Sequence, residues 1–182
     1  MKKEFVATRL DVQAFAQAAT PWSRQDALAD YERLAEEAQG SIDGLTVSWT
    51  AQGQLRATPG GADEVWLHLS VQARLPLTCQ RCMGPLDTEV ASERWFRFAA
   101  DEAAAAALDD EVDEDVLVSA PDFDLHELIE DELLMSLPLV PRHDICPVPV
   151  KLAVEDPEFE AELDAKPNPF AALAKLRLDK SS

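Results

Sequence analysis

Apolar and polar positions alternate without interruption over residues 65–75. Val65, Leu67, Leu69, Val71, Ala73 and Leu75 form one set, and Trp66, His68, Ser70, Gln72 and Arg74 the other. A period of two puts these sets on opposite faces of a strand with one face buried. The same period runs through Leu45, Val47, Trp49 and Ala51 and resumes at Leu55 and Ala57. Gln52-Gly53-Gln54 reads as a hairpin turn between those two runs, and Pro59-Gly60-Gly61 punctuates the next. Residues 86–98 form a less regular strand, with Val90, Phe96 and Phe98 on one face and Trp95 on the other, a pattern of a bulge or of cover on both sides. Residues 5–10 read as a strand or extended arm.

Helical spacing predicts two main helices. Ser23 reads as an N-cap, with Asp26 three residues on, for a helix over residues 24–39 that buries Ala27, Leu28, Tyr31, Leu34 and Ala35 and stops at Gly40. The second begins at Asp124, with Glu127 completing a capping box. Its apolar stripe is Leu125, Leu128, Ile129, Leu133 and Leu137; Glu127, Glu130 and Asp131 face water, and Pro138 ends it. Between strands and helix, residues 101–115 hold eight carboxylates around a run of alanines and read as a solvated acidic loop with a helical turn, followed by a short strand at Val116-Leu117-Val118. The fold class is therefore α+β: an antiparallel sheet able to curl into a partly closed barrel, two main helices and an extended C-terminal tail. Residues 1–150 form a single domain, and residues 151–182 an acidic linker with a short basic, amphipathic tail.

Charge narrows the partners. The formal net charge is −19 over 182 residues, which disfavours neutralising nucleic-acid phosphates and favours basic protein partners. No apolar run approaches the ~20 residues of a membrane span, and the first residues lack the apolar stretch of a signal peptide. The protein is expected in the cytoplasm, where three cysteines do not make a disulfide framework.

Those cysteines carry the candidate chemistry. Cys79-Gln80-Arg81-Cys82 lies between two predicted strands, and His143-Asp144-Ile145-Cys146 lies just past a helix end. Cys79, Cys82, His143 and Cys146 supply the four sulfur and nitrogen ligands of a structural zinc site, with Zn–S near ~2.3 Å. Gly84 supplies the tight turn of the first pair. Two other readings of the same residues remain open: cysteines buried as small hydrophobes, and a redox dithiol, which wants a helix start that the strand context does not offer. His68 and His126 have no second ligand at close spacing. Walker, dinucleotide-binding, nucleophile-elbow and zinc-protease motifs are all absent, so neither enzymatic activity nor a small-molecule substrate is expected.

Three stretches together resemble the YceD family, the bacterial large ribosomal RNA subunit accumulation proteins: Leu77-Thr-Cys-Gln-Arg-Cys-Met83; residues 124–146, with Leu137-Pro-Leu-Val-Pro-Arg-His143; and Lys166-Pro-Asn-Pro-Phe-Ala-Ala-Leu-Ala-Lys-Leu176. The resemblance implies a role in synthesis, processing or stability of large-subunit ribosomal RNA. It also implies basic ribosomal proteins or a pre-ribosomal particle as partners, because the family is commonly encoded beside a large-subunit ribosomal protein. It implies no catalytic residue and leaves the metal to local spacing. The acidic segments are one expected contact surface. The tail is another: Lys166, Pro167, Asn168 and Pro169 lead into Phe170, Leu173 and Leu176 on one face of a short helix, which docks on a partner or on its own domain. The alternative is a zinc-binding module that touches ribosomal RNA directly through Arg81, Arg94, Arg97, Trp66 and Trp95.

Overall fold

The structure, a computed structural model, describes residues 5–58 and 60–149. Two compact units divide the chain, residues 1–145 and 146–182; the architecture below is that of the first. Pro59 and the tail, with Lys166, Pro167, Asn168, Pro169, Phe170, Leu173 and Leu176, lie outside the described residues.

Five strands form one sheet in chain order: β1 (Trp22–Ala27), β2 (Thr46–Arg56), β3 (Glu64–Thr78), β4 (Pro85–Ala99) and β5 (Asp115–Val118). The first four pair antiparallel, and β5 joins β4 in parallel. The helices are α1 (Val12–Ala18), α2 (Glu32–Glu37), α3 (Glu102–Asp109) and α4 (Leu125–Met135). The class is α+β, as expected. The sheet is open rather than closed into a barrel, with β1 and β5 as its edges, and the last pair makes it mixed. Parallel neighbours need a crossover, and α3 supplies it. The alanine run propagates that helix and the Asp101 side chain caps it, accepting from the Ala104 amide at 2.8 Å, so the expected acidic loop is mostly helical.

One face of the sheet carries the core. Val47, Trp49 and Ala51 of β2, Leu67, Leu69, Val71, Leu75 and Leu77 of β3, and Val90, Phe96 and Phe98 of β4 are buried with Phe15, Leu34, Leu125, Ile129 and Leu133 from the helices. The β3–β4 register runs unbroken from Val65↔Phe98 to Thr78↔Pro85, so β4 has no bulge there. Its irregular pattern arises because Ser92 and Arg94 hold inward positions near the edge, where they reach Glu132 and Asp115.

Other expectations are corrected. The helix expected over residues 24–39 is β1, a 3-10 turn (Leu28–Asp30) and the short α2. Ser23 and Asp26 do not cap a helix: the Ser23 hydroxyl lies 2.8 Å from that of Thr50 across the β1–β2 ladder, and Asp26 accepts from Trp49 Nε1 (2.6 Å) and the Tyr31 hydroxyl (3.1 Å). Residues 5–10 form a 3-10 turn (Ala7–Arg9) with Leu10 bridged to Phe123, and α1 follows, capped by Asp11. Gln52-Gly53-Gln54 makes no turn, because β2 runs straight through it. Gly53 is needed for a different reason: a Cβ there would stand 2.6 Å from the Ala16 Cα, in the backbone of α1.

Glu130 does not face water. It is buried, and one of its oxygens accepts from the Arg33 (2.8 Å) and Leu34 (3.1 Å) amides while the other meets Arg33 Nε at 2.8 Å. These amides belong to the first turn of α2, whose unpaired donors and dipole favour a carboxylate. α4 thus caps α2 from across the core. Among the described residues, no helix is long and apolar enough to cross a membrane.

Both features have consequences for stability. Gly53→Ala destabilises by about 1–3 kcal/mol through overpacking against backbone, whereas Gly61→Ala, where the new Cβ would meet only Thr58 side-chain carbons at 3.5 Å and beyond, stays near wild type in denaturant unfolding. Glu130→Ala costs roughly 2–3 kcal/mol through lost charge-assisted hydrogen bonds; Asp131→Ala, which removes an exposed ion pair with Arg33, costs under about 1 kcal/mol in the same assay.

Candidate metal centre

The loop between β3 and β4 folds back over six residues, 79–84, because the Met83 amide donates to the Cys79 carbonyl at 2.8 Å and the Cys79 amide to the Gly84 carbonyl at 2.9 Å. The left-handed residue of this turn is Met83, at φ 57°, and not Gly84, the glycine assigned the tight turn from sequence. A Cβ on Gly84 would meet the Cys82 sulfur at 3.5 Å, an ordinary contact. The turn presents both thiols of the loop toward the segment that follows α4.

That segment is steered by the helix end. The Ser136 amide and hydroxyl both donate to the Glu132 carbonyl, closing the last turn, and Pro138 prevents continuation. The chain then returns to the loop: the Gln80 amide donates to the Pro141 carbonyl at 2.8 Å, and Arg81 Nη2 donates to the carbonyls of His143 (2.7 Å) and Asp144 (3.1 Å). Arg81, placed among RNA-contacting residues by the sequence alternative, is here bonded to the backbone of this segment.

His143 arrives in an orientation suited to a ligand. Its Nε2 lies 3.0 Å from the Pro85 carbonyl, and its Nδ1 lies 3.4 Å from the Cys82 sulfur. A carbonyl only accepts, so the proton belongs on Nε2 and the Nδ1 lone pair faces the thiols. A ring fixed in this way through its other nitrogen is the usual second partner of a metal-bound histidine. The His143 amide also donates to the Cys79 sulfur at 3.4 Å. Burial pushes the Cys79 thiol up, but amide donation from Cys82, His143 and Arg81 outweighs it and holds the thiol down at about 5. Cys79 is therefore a thiolate at neutral pH, the form that binds metals.

Cys79, Cys82, His143 and Cys146 each offer one ligand atom, and the four atoms all lie within 4.8 Å of one another. They are close enough to bind a metal ion. Three sulfurs and one imidazole nitrogen, with a thiolate already formed and the imidazole tautomer set, fit a soft or borderline divalent ion.

The other candidates are distributed differently. His68 lies tilted by 30° against Trp95, ring centres 4.6 Å apart, with its Nε2 3.1 Å from Glu93, and His126 stacks on Tyr31 at 4.2 Å. Trp66, Trp95 and Arg97 share the face of the sheet opposite Leu67 and Phe96, whereas Arg94 shares the core-side register and pairs with Asp115 at 2.7 Å. Arg56 was missed in the sequence: its guanidinium lies 3.8 Å from the Trp66 ring centre and 4.4 Å from that of Trp95. Its signal was present in the strand period continuing past Gly53, which places Arg56 opposite Glu64.

A family description, "Large ribosomal RNA subunit accumulation protein YceD", matches residues 67–177. Over 109 residues the chain is 36% identical to the large ribosomal RNA subunit accumulation protein YceD of Haemophilus influenzae, an alignment covering 59% of this chain and 62% of that protein. The chain thus spans less than two thirds of that relative's length. No solved structure matches it.

The depressed thiol has a measurable signature. A group whose folded value is lowered stabilises fully above its ordinary value, here 9.0, and the contribution fades as pH falls through the folded value of about 5. Metal-stripped protein will gain stability between pH 5 and 9, and Cys79→Ser will flatten that rise in urea unfolding series.

Proposed function

The chain belongs to the YceD family of large ribosomal RNA subunit accumulation proteins, and we propose that it supports accumulation of large-subunit ribosomal RNA as a noncatalytic assembly factor. The observation that carries this reading is the family match, which spans residues 67–177 and so includes Cys79, Cys82, His143 and Cys146 together with the α4 segment between them. The net charge of −19 supports a basic ribosomal protein, free or on a pre-ribosomal particle, as the immediate partner, since opposite fields speed encounter. The four-ligand cluster supports a structural zinc ion: bound there, zinc would supply a cross-link between the sheet loop and the segment after α4, held by Cys79, Cys82, His143 and Cys146. The terminal stretch with Lys166, Pro167, Asn168, Pro169, Phe170, Leu173 and Leu176 is a second candidate contact on the strength of its sequence.

Direct RNA contact is the second reading, favoured by the Arg56 guanidinium lying against Trp66 and Trp95. Glu64 and Glu93 beside that patch reduce its attraction for phosphate.

Depletion of the protein tests the proposal. It will lower large-subunit relative to small-subunit ribosomal RNA, and affinity capture of the tagged full chain will recover large-subunit proteins or precursor particles. An unchanged RNA ratio, with a catch dominated by enzymes of an unrelated pathway, would refute it.

A further inference from the structure

β4 is covered along only part of its length. β5 pairs with it from Phe96 to Ala99, and among the described residues no strand takes the same side between Pro85 and Trp95. Unpaired strand edges present backbone donors and acceptors in register for another chain. Beside this edge, at its Pro85 end, runs the segment of residues 138–142, and the two enclose a cavity of about 310 Å³ lined by Leu86, Thr88 and Glu89 on one side and by Pro138, Val140 and Arg142 on the other.

Three features mark this groove as more than a gap. The hydroxyl oxygen of Thr88 is buried there without a hydrogen-bond partner among the described residues, a state that costs free energy unless a ligand supplies the bond. Val140, on the outer wall, is 61% exposed, so the groove offers an apolar side chain to water. The wall is also fixed, by the Pro141 carbonyl on the Gln80 amide and the Arg81 bonds beyond it, so the groove exists before anything enters.

We propose that this groove binds an extended, basic segment of a protein partner as an added strand beside β4. The inference rests on the basic-partner reading above and specifies its contact. Strand addition gives affinity through main-chain hydrogen bonds and specificity through alternate side chains. The groove lining carries Asp87 and Glu89 against Arg142, and Glu93 follows along the edge, exposed, on a chain of net charge −19. Lysine or arginine in the incoming segment matches these acids, and its apolar residues meet Leu86 and Val140. A second copy of this chain is a poor occupant, because antiparallel pairing of two such edges sets the Asp87, Glu89 and Glu93 carboxylates against one another. RNA is poorer still, since its phosphates would meet the same carboxylates.

Hydrogen–deuterium exchange on the full chain maps the contact. The probe is the salt-extracted protein fraction of the large ribosomal subunit, with naked large-subunit ribosomal RNA and the chain alone at rising concentration as further arms. The protein fraction will slow exchange roughly tenfold or more over residues 86–95 and 138–142. The double variant Asp87→Lys/Glu89→Lys will weaken capture of that fraction by about tenfold or more, and Val140→Asp will weaken it as well. Capture with protection elsewhere, or capture unchanged in both variants, would overturn the groove while leaving the basic-partner reading intact. Absence of any capture would overturn both. Protection of the edge by RNA, or by concentration of the chain alone, would assign the groove to a different occupant and overturn the proposal.

Discussion

The Pro141 carbonyl accepts from the Gln80 amide, the His143 amide and ring reach Cys79 and Pro85, and Arg81 spans to the carbonyls of His143 and Asp144. This small set of bonds joins two segments about sixty residues apart in the chain. The segment after α4 has no regular structure of its own and could not hold position through local propensity. The Pro141, His143 and Asp144 carbonyls accept from the loop between β3 and β4, and the His143 amide donates to the Cys79 sulfur. The metal-ligand geometry and the groove beside β4 are two consequences of that one junction.

The junction depends in turn on where α4 lies. Leu125, Ile129 and Leu133 bury its apolar stripe against the sheet, but a hydrophobic stripe alone leaves a helix free to slide or rotate. Two buried carboxylates restrict it. Glu130 caps α2 through two amides and Arg33, and Glu132 accepts from Ser92 on β4 at 2.6 Å. Each would be costly to leave unpaired, so the helix has one favourable axial position, and its end at Ser136 sets the start of the segment that returns to the loop.

Legibility in the sequence followed how local each signal was. β3 was readable because alternation sustained over many residues suits a half-buried strand and little else, β4 less cleanly because inward Ser92 and Arg94 interrupt its pattern, and α4 because its cap and stripe agree. The grouping of Cys79, Cys82, His143 and Cys146 was readable because cysteine and histidine at such spacings have few common uses. Ser23, Asp26, Gly53 and Glu130 misled for a shared reason. Each has a common local role, as cap, turn or solvated helix face, yet is used here by a distant partner: Thr50, Trp49, the α1 backbone, and α2. Tertiary pairing overrides local propensity at such positions, and no window of sequence contains the partner. Arg81 misled likewise, its exposed-looking guanidinium being committed to two carbonyls.

A scaffold that fixes one loop, one returning segment and one open strand edge suits the proposed role of holding a protein partner. The proposed structural metal clasp of Cys79, Cys82, His143 and Cys146 would lock that same junction. Zinc-edge X-ray absorption on full-length protein, purified without chelator or a histidine tag, reads the clasp itself. About one zinc per chain is expected, with three sulfurs near ~2.3 Å and one nitrogen near ~2.0 Å. Protein that carries no stoichiometric metal, or zinc in a shell dominated by oxygen, would contradict the clasp.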